Sequence, residues 1–326
     1  MHPFTRNQLS LCIGLTLSAP FIAFAAPANS EKHAARVETV LVLGEQIKQQ
    51  LGAEQAATPG GVTVIDSAEL EQRSVSNLGD MLRYVPGVWT ASGSTGDSTF
   101  FSSRGSNLDA TNYDGNGIKL LQDGLPVTAA DGNNHNRIMD PLSARYAVIA
   151  HGANALTYGA STLGGAIDFI TPTARDTTPQ LVLNGGSNGQ LQGQITTGAV
   201  SGAFDGLVTV ESKQWDGFRE HHEQDRKGVY ANSGWQFSDA VKTRFYATYI
   251  ENEQQLPGAL TIAQFKQDSY QAQPQAISGD FQYNVDTWRI ANKTSWDING
   301  NSSLTFGISH EEQTLYHPIV DKVMVD

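Results

Sequence analysis

Residues 147–171 read AVIAHGANALTYGASTLGGAIDFIT, and the order of residue types in this stretch decides the fold. A short β-type apolar run (Tyr146, Val148, Ile149) meets a bend at His151-Gly152 and continues into a small helical segment over 153–158. It closes with Gly164 and Gly165, which feed a second apolar strand over 166–170. Paired glycines just ahead of a strand mark a place where backbone must come close to other backbone, or adopt a positive φ where a Cβ would clash. By themselves these residues predict a compact αβ unit.

The residues upstream extend that unit. A strand over 62–65 is followed by Asp66 and, three residues on, Glu69, a capping-box start for a helix over 67–72. Ser76 or Asn77 caps a second helix with Leu78, Met81, Leu82 and Val85 on one face, and Pro86-Gly87 ends it. Val88-Trp89, a loop over 91–97 and a strand over 98–103 lead to Arg104-Gly105. A polar loop over 106–117, a strand over 118–122, Asp123-Gly124-Leu125-Pro126-Val127, a polar loop over 128–137 and Asp140-Pro141 complete the run. This succession of anchors resembles the plug domain of TonB-dependent outer-membrane receptors. The resemblance includes Gly152, Tyr158-Gly159, Gly164-Gly165 and Ile167-Asp168-Phe169-Ile170-Thr171, which occupy the places of the family's "RGP…YG…GGxINxxT" exit from the plug. The chain departs from the family at His151, where Arg is usual, at Ala153, where Pro is common, and at Phe100-Phe101-Ser102-Ser103, where relatives alternate apolar residues more cleanly.

From Gln180 the texture changes to strands of period two. Val229, Ala231, Trp235 and Phe237 alternate with Tyr230, Asn232, Gly234 and Gln236. Val241, Phe245, Ala247 and Tyr249 alternate with Lys242, Arg244, Tyr246 and Thr248. Further on, Trp288, Ile290 and Trp296 oppose Arg289, Lys293 and Ser295, and Leu304, Phe306 and Ile308 oppose Thr305, Gly307 and Ser309. Connections near 201–206, 238–240 and 299–301 are short and those near 217–226 and 253–280 are long, the alternation expected of transmembrane barrels with short inner turns and long outer loops. Trp288 and Trp296 share a face roughly 20 Å apart along a tilted strand, close to the spacing of the two aromatic girdles. Trp235, Trp288, Trp296 and Tyr249 are therefore placed on the lipid face.

The fold class expected is an α+β plug followed by antiparallel transmembrane β-barrel strands, with the barrel incomplete. About seven strands are expected, whereas plugged outer-membrane transporters have about 22. Seven strands cannot close around a plug of this size, and open sheet edges are not tolerated in lipid. The chain is thus expected to be the N-terminal portion of a longer protein, unable by itself to insert or to transport.

The N-terminus carries Arg6, an apolar core over 9–24 and small residues at 23–25, a signal peptide over 1–25. The sole cysteine, Cys12, lies within it, so the mature chain has no thiol, disulfide or cysteine metal site. Residues 26–61 form an arm. Its β-branched run over 37–44 can gain backbone hydrogen bonds by adding to another protein's sheet edge. The run is similar to the family's TonB box, and the resemblance implies that Glu38, Thr39, Val40, Leu41 and Val42 pair with TonB, itself energised by ExbB and ExbD. Residues 62–175 are read as the plug and 176–326 as the partial barrel.

A net charge of -12 argues against a nucleic-acid partner, which favours a basic face. No nucleophile, base and orienter set is present, so an enzyme is rejected and no catalytic residue is assigned. His221-His222 tempts a metal reading, but adjacent residues on an extended chain point opposite ways, and a solvated outer loop is the better account. No metal site or cofactor is expected. The resemblance implies a receptor, in contact with outer-membrane lipid, that binds and actively imports an iron chelate such as a siderophore or ferric citrate. Leu256-Pro257-Gly258-Ala259-Leu260-Thr261 is faintly similar to ferric-citrate-type receptors. The same resemblance places ligand contacts on the outward polar loops, at Thr95, Asn112, Tyr113, Asn133, Asn134, His135 and Arg137. It gives a structural role in the plug to Arg104, Gly105, Gly164 and Gly165, with Arg104 pairing a plug or wall carboxylate. Cobalamin, copper or sugar ligands stay open, as do a passive porin or adhesin and a soluble periplasmic binding module. The polar outward faces that the last of these requires conflict with the Trp, Phe and Ile faces after Gln180.

Overall fold

The computed structural model describes residues 49, 53, 61–73, 75, 77–92, 99–106, 117–127, 140–160 and 162–318. The expected signal peptide, the expected strand over 37–44 and most of the expected polar loops lie outside the described residues.

The first part is a five-stranded sheet in the order β1-β6-β7-β4-β5, flanked by short helices. Strand β1 (Val62–Asp66) pairs antiparallel with β6 (Tyr146–His151), and β6 with β7 (Gly165–Ile170). Strand β7 pairs parallel with β4 (Ile118–Gln122), which turns back at Asp123-Gly124 into β5 (Leu125–Pro126). Helices α1 (Ser67–Gln72) and α2 (Leu78–Leu82) cover one face. Asn77 caps α2 by accepting from the N–H of Asp80 at 2.9 Å, satisfying one of the first-turn donors. The face of α2 expected to be apolar is buried: Leu78, Met81, Leu82 and Val85 pack with Ile65, Leu70, Ile149 and Phe169.

Strand β2 (Val88–Ser92) pairs with β3 (Thr99–Ser103) as a separate two-stranded ribbon. The expectation of a loop beginning at 91 is corrected here. Ala91 and Ser92 belong to the strand, opposite Phe100 and Thr99, because the ladder that starts at Val88 and Ser103 continues two steps beyond Thr90.

The glycine pair behaves as its position demands. Gly165 has a φ of +142°, and a Cβ there would run into the carbonyl oxygen of Ala150 on the neighbouring strand. At Gly164 a Cβ would collide with the side chain of Ser106. These two positions let β7 lie against the turn after β3 and the end of β6.

The second part is a seven-stranded antiparallel sheet of strands β8 (Gln180–Gly185), β9 (Leu191–Ser201), β10 (Phe204–Trp215), β11 (Gln224–Gln236), β12 (Val241–Gln254), β13 (Asn284–Asn299) and β14 (Ser302–Tyr316). The spatial order follows the chain, with β8 and β14 at the edges. Residues 202–203, 237–240 and 300–301 turn tightly at one end, and 186–190, 216–223 and 255–283 connect the strands at the other. The longest of these connections carries helices α3 (Ile262–Gln267) and α4 (Pro274–Ser278).

The polarity of this sheet is the reverse of a soluble one. Gln194, Thr209, Glu211, Arg226, Asn232 and Arg289 are buried on its inner face. Trp235, Tyr249, Ile290, Trp296, Phe306 and Ile308 are exposed on the other, and Trp288 is 37% exposed beside them. This is the alternation of a lipid-facing wall.

Because Gly165 combines a left-handed backbone with a carbonyl where a side chain would begin, Gly165→Ala is expected to lower stability by about 2–4 kcal/mol. Urea denaturation should show the midpoint falling with the slope unchanged.

Candidate functional site at the contact of plug and wall

Thr95, Asn112, Tyr113, Asn133, Asn134, His135, Arg137 and the arm residues 38–42 lie outside the described residues. The plug residues Arg104, Gly105, Gly164 and Gly165 lie within them. Arg104 and Gly105 form a tight turn after β3, with φ of 52° and 81°. The Arg104 N–H donates to Gly87 O at 2.9 Å. The Arg104 guanidinium lies over two glycines: a Cβ built on Gly152 would stand 3.2 Å from Nη1, and one on Gly61 3.5 Å from Nη2. Beside it is His151, buried, with Nε2 3.3 Å from Thr63 Oγ1. Burial, and then the charge of Arg104, push the His151 pKa down. An uncharged imidazole next to a guanidinium avoids the repulsion that a second cation would bring. The His151 N–H also donates to Gly61 O at 3.2 Å, so this cluster sits where the arm joins β1.

Among the described residues, polar contacts between plug and wall cluster at three places. The first is the β4–β5 turn, where Asp123 and Gly124 adopt positive φ, the pairing that a two-residue hairpin requires. Asp123 accepts from Thr171 N–H at 3.1 Å and from the Thr171 hydroxyl, and Asp168 accepts from Gly124 N–H at 2.9 Å. Burial raises both acids, Asp123 to about 6 and Asp168 to about 7. From the wall, Lys293 donates to Asp123 O, and Arg289 donates to the Gln122 side chain and to Pro126 O, the latter at 3.1 Å. Leu125 packs with Tyr246 and Ala291. It also fills the space above Gly307, where a Cβ would strike it.

The second contact joins the segment after β7 to the wall. Asp205, buried, accepts from Arg175 Nε at 2.9 Å and pairs with Arg244 at 2.8 Å. Arg244 also donates to Asn232, whose own amide donates to Pro172 O at 3.0 Å. The register places Asp205 opposite Gly234 and Gly234 opposite Arg244, so the glycine opens the gap across which acid and base meet. A Cβ on Gly234 would intrude on the guanidinium.

The third contact is buried and acidic. Asp140, capping a 3-10 turn (Pro141–Ser143) ahead of β6, faces Glu211 of β10. Glu211 accepts from Arg226 Nε at 3.0 Å and from Tyr230 OH at 2.9 Å. Gly228, opposite Glu211 in the register, leaves room for its side chain.

At the far end, the connections over 216–223 and 255–283 are bound to each other. Arg219 donates to Gln271 O at 2.9 Å, to Gly258 O at 2.7 Å and to Pro257 O at 3.3 Å. The expectation of a solvated His221-His222 pair is corrected. His221 has a positive φ, lies half-buried, and its Nε2 is 3.0 Å from Phe281 O. His222 packs at a tilt against Trp215 with centroids 4.9 Å apart, and burial pushes its pKa down to about 4.

Period-two alternation places Arg289 and Lys293 on the polar face but does not say what they hold. The signal was available in part: a charged residue at inward parity on a wall strand needs a partner. Its identity depends on the height at which the plug sits, which strand parity does not encode.

Residues 54–166 match the family model described as the TonB-dependent Receptor Plug Domain. The chain is 26% identical over 271 residues to a protein named "Hemin receptor" from Yersinia enterocolitica, a match covering 76% of this chain and 37% of that protein. It is 32% identical over 163 residues to the "Vitamin B12 transporter BtuB" of Vibrio vulnificus, covering 49% of this chain and 25% of that one. The fold matches Pseudomonas aeruginosa FpvA with a TM-score of 0.62 at 15% identity, over 80% of this chain and 35% of FpvA. It matches the ferric citrate transporter FecA with a TM-score of 0.56 at 15% identity, over 81% of this chain and 50% of FecA. The chain thus spans about a quarter to a half of the length of these relatives. Residues 54–166 are thus a TonB-dependent receptor plug domain, seated against the polar face of a lipid-facing antiparallel wall, and the chain has the architecture of the TonB-dependent outer-membrane receptors.

Proposed function

We propose that the protein binds an iron compound, haem or a ferric chelate such as a siderophore or ferric citrate, on its outer side and takes part in importing it with energy delivered through TonB. The observation that carries this reading is the seating of the plug. Three sets of polar contacts hold it on a wall whose inner face is hydrophilic, which makes a gate that is closed at rest and breakable without exposing an apolar core. A relative named as a hemin receptor supports the ligand class. Ligand would be held by the outward loops through Thr95, Asn112, Tyr113, Asn133, Asn134, His135 and Arg137, groups able to meet an anionic, oxygen-rich compound with many hydrogen bonds.

Coupling follows from differential binding: ligand on the outer loops favours the plug arrangement in which Glu38, Thr39, Val40, Leu41 and Val42 are offered below. TonB, driven by ExbB and ExbD, would pair with that strand by β-addition. The arm joins β1 at Gly61, beside Arg104, His151 and Gly152, so tension on it falls first on that cluster and on the β1–β6 ladder. Arg104 is assigned to holding this corner of the plug, by pairing with a carboxylate of plug or wall. A cobalamin ligand is the second reading, favoured by the match to a protein named as a vitamin B12 transporter.

A growth and binding screen of the receptor against haem, ferric citrate, a panel of ferric siderophores and cobalamin separates these ligands, and binding of cobalamin alone would overturn the iron reading. Deleting residues 38–44 is expected to abolish uptake while leaving ligand binding intact; uptake that survives the deletion refutes the coupling. Arg289→Met together with Lys293→Met keeps an unbranched side chain at each position and removes the donors to Gln122, Asp123 and Pro126. The double variant is expected to make the plug easier to displace with urea by about 1–3 kcal/mol, read from the midpoint of plug release.

A further inference from the structure

The carboxyl of Asp140 is unlike the other polar groups at the contact between plug and wall. It is 5% exposed. One oxygen accepts from the Leu142 N–H at 3.1 Å. Among the described residues, no N–H or O–H donor reaches the other, Oδ2. The side chain in hydrogen-bonding contact with Asp140 is another acid, Glu211 of β10, itself 3% exposed.

Glu211 is already provided for. Arg226 Nε donates to it at 3.0 Å and Tyr230 OH at 2.9 Å, while Arg226 Nη2 reaches the Tyr230 oxygen at 3.3 Å. The immediate set is therefore two carboxyls, one guanidinium and one phenol. On the neighbouring elements the other charged groups are Lys213, on the same face of β10, and the plug's own Asp66–Arg145 pair at 3.6 Å. With both acids ionised, two anions would touch in a buried place with one cation between them, and an unbalanced buried charge costs several kcal/mol. One proton removes the excess charge and turns two repelling acceptors into an O–H···O bond. Glu211 has a cation and a hydroxyl donor, whereas Asp140 has only a peptide N–H, so the proton resides on Asp140. Burial, and next the Glu211 charge, push the Asp140 carboxyl well above the usual carboxylate range.

We infer that Asp140 and Glu211 form a proton-binding site that fastens the plug to the wall, one proton being held between them while the plug is seated and released to water when the two separate. The exit lies close by: a crevice of about 20 Å³ with room for a water opens between Leu142, Ser143 and Ala144 of the plug and Gln194, Thr196 and Thr209 of the wall. On separation Asp140 meets solvent and ionises at neutral pH, whereas Glu211 keeps Arg226 and Tyr230. The sign follows from linkage. The seated state holds the acid above its ordinary value, so the fastening is complete at low pH and is lost as the pH rises through that raised value. Nothing in this depends on which ligand the receptor carries.

The test is plug displacement in the detergent-solubilised receptor, using Ala144→Cys in a Cys12→Ser background. Ala144 is buried, and its replacement thiol reacts with a maleimide only when the plug moves. Labelling in sub-denaturing urea, from about pH 5 to about pH 9, is compared with Asp140→Asn, which still donates to Glu211 but cannot ionise. Because intrinsic thiol reactivity is common to both proteins, the ratio of their rates reports the fastening. That ratio is expected to grow by on the order of tenfold for each pH unit between the ordinary carboxylate range and the raised value, and to level off above it. A constant ratio overturns the proposal. Infrared difference spectra of the same pair, which need no displacement, should show a neutral carboxylic-acid carbonyl band in the parent at neutral pH that Asp140→Asn lacks. Identical spectra in that region overturn it equally.

Discussion

The structure depends on one constraint: a sheet that shows its apolar side outward must bury its polar side, and buried polar groups have to be matched one by one. On this wall the inward residues include charges as well as amides and hydroxyls, so the plug cannot be a generic filler. It presents carbonyls to Arg289 and Lys293, a carboxyl to Glu211, and a peptide oxygen to Asn232. Apolar contacts reach the wall at few points, through Tyr230 and Ile250 in the plug's main core and through Leu125 against Tyr246 and Ala291. The hydrophobic effect folds the plug. Hydrogen bonds and ion pairs position it on the wall.

Glycine is the hidden partner in this matching. Gly228 faces Glu211, Gly234 stands between Asp205 and Arg244, and Gly307 receives Leu125. Each lies at a wall position where a side chain would block a neighbour's reach toward the plug or toward another strand. Glycine weakens an isolated strand, and here that cost is offset by the long ladders on both sides of β11 and, for Gly307, by the ladder between β13 and the edge strand β14.

Much of the fold could be read in advance, for physical reasons. The glycine pair at 164–165 announced a close approach, and Ala150 and Ser106 supply the atoms approached. The apolar face of α2 followed from helical spacing, and the outward placement of Trp235, Trp296 and Phe306 followed from period-two alternation. Other features were not legible. The extension of β2 to Ser92 depends on pairing with Thr99, a partner across a polar loop. The half-burial of His221 depends on Phe281, in a connection that begins more than thirty residues later in the chain. The meeting of Asp140 with Glu211 joins two layers that no local pairing connects, and local sequence carries no information about their relative height.

The guanidinium of Arg219 has a mechanical consequence. By gripping three carbonyl oxygens of the long connection that carries α3 and α4, it turns two chain excursions anchored on neighbouring strand pairs into one stiff cap. A push on either excursion is carried through these bonds to the other, and so into the neighbouring strands β11 and β12 on which the two are rooted, instead of being absorbed by independent bending.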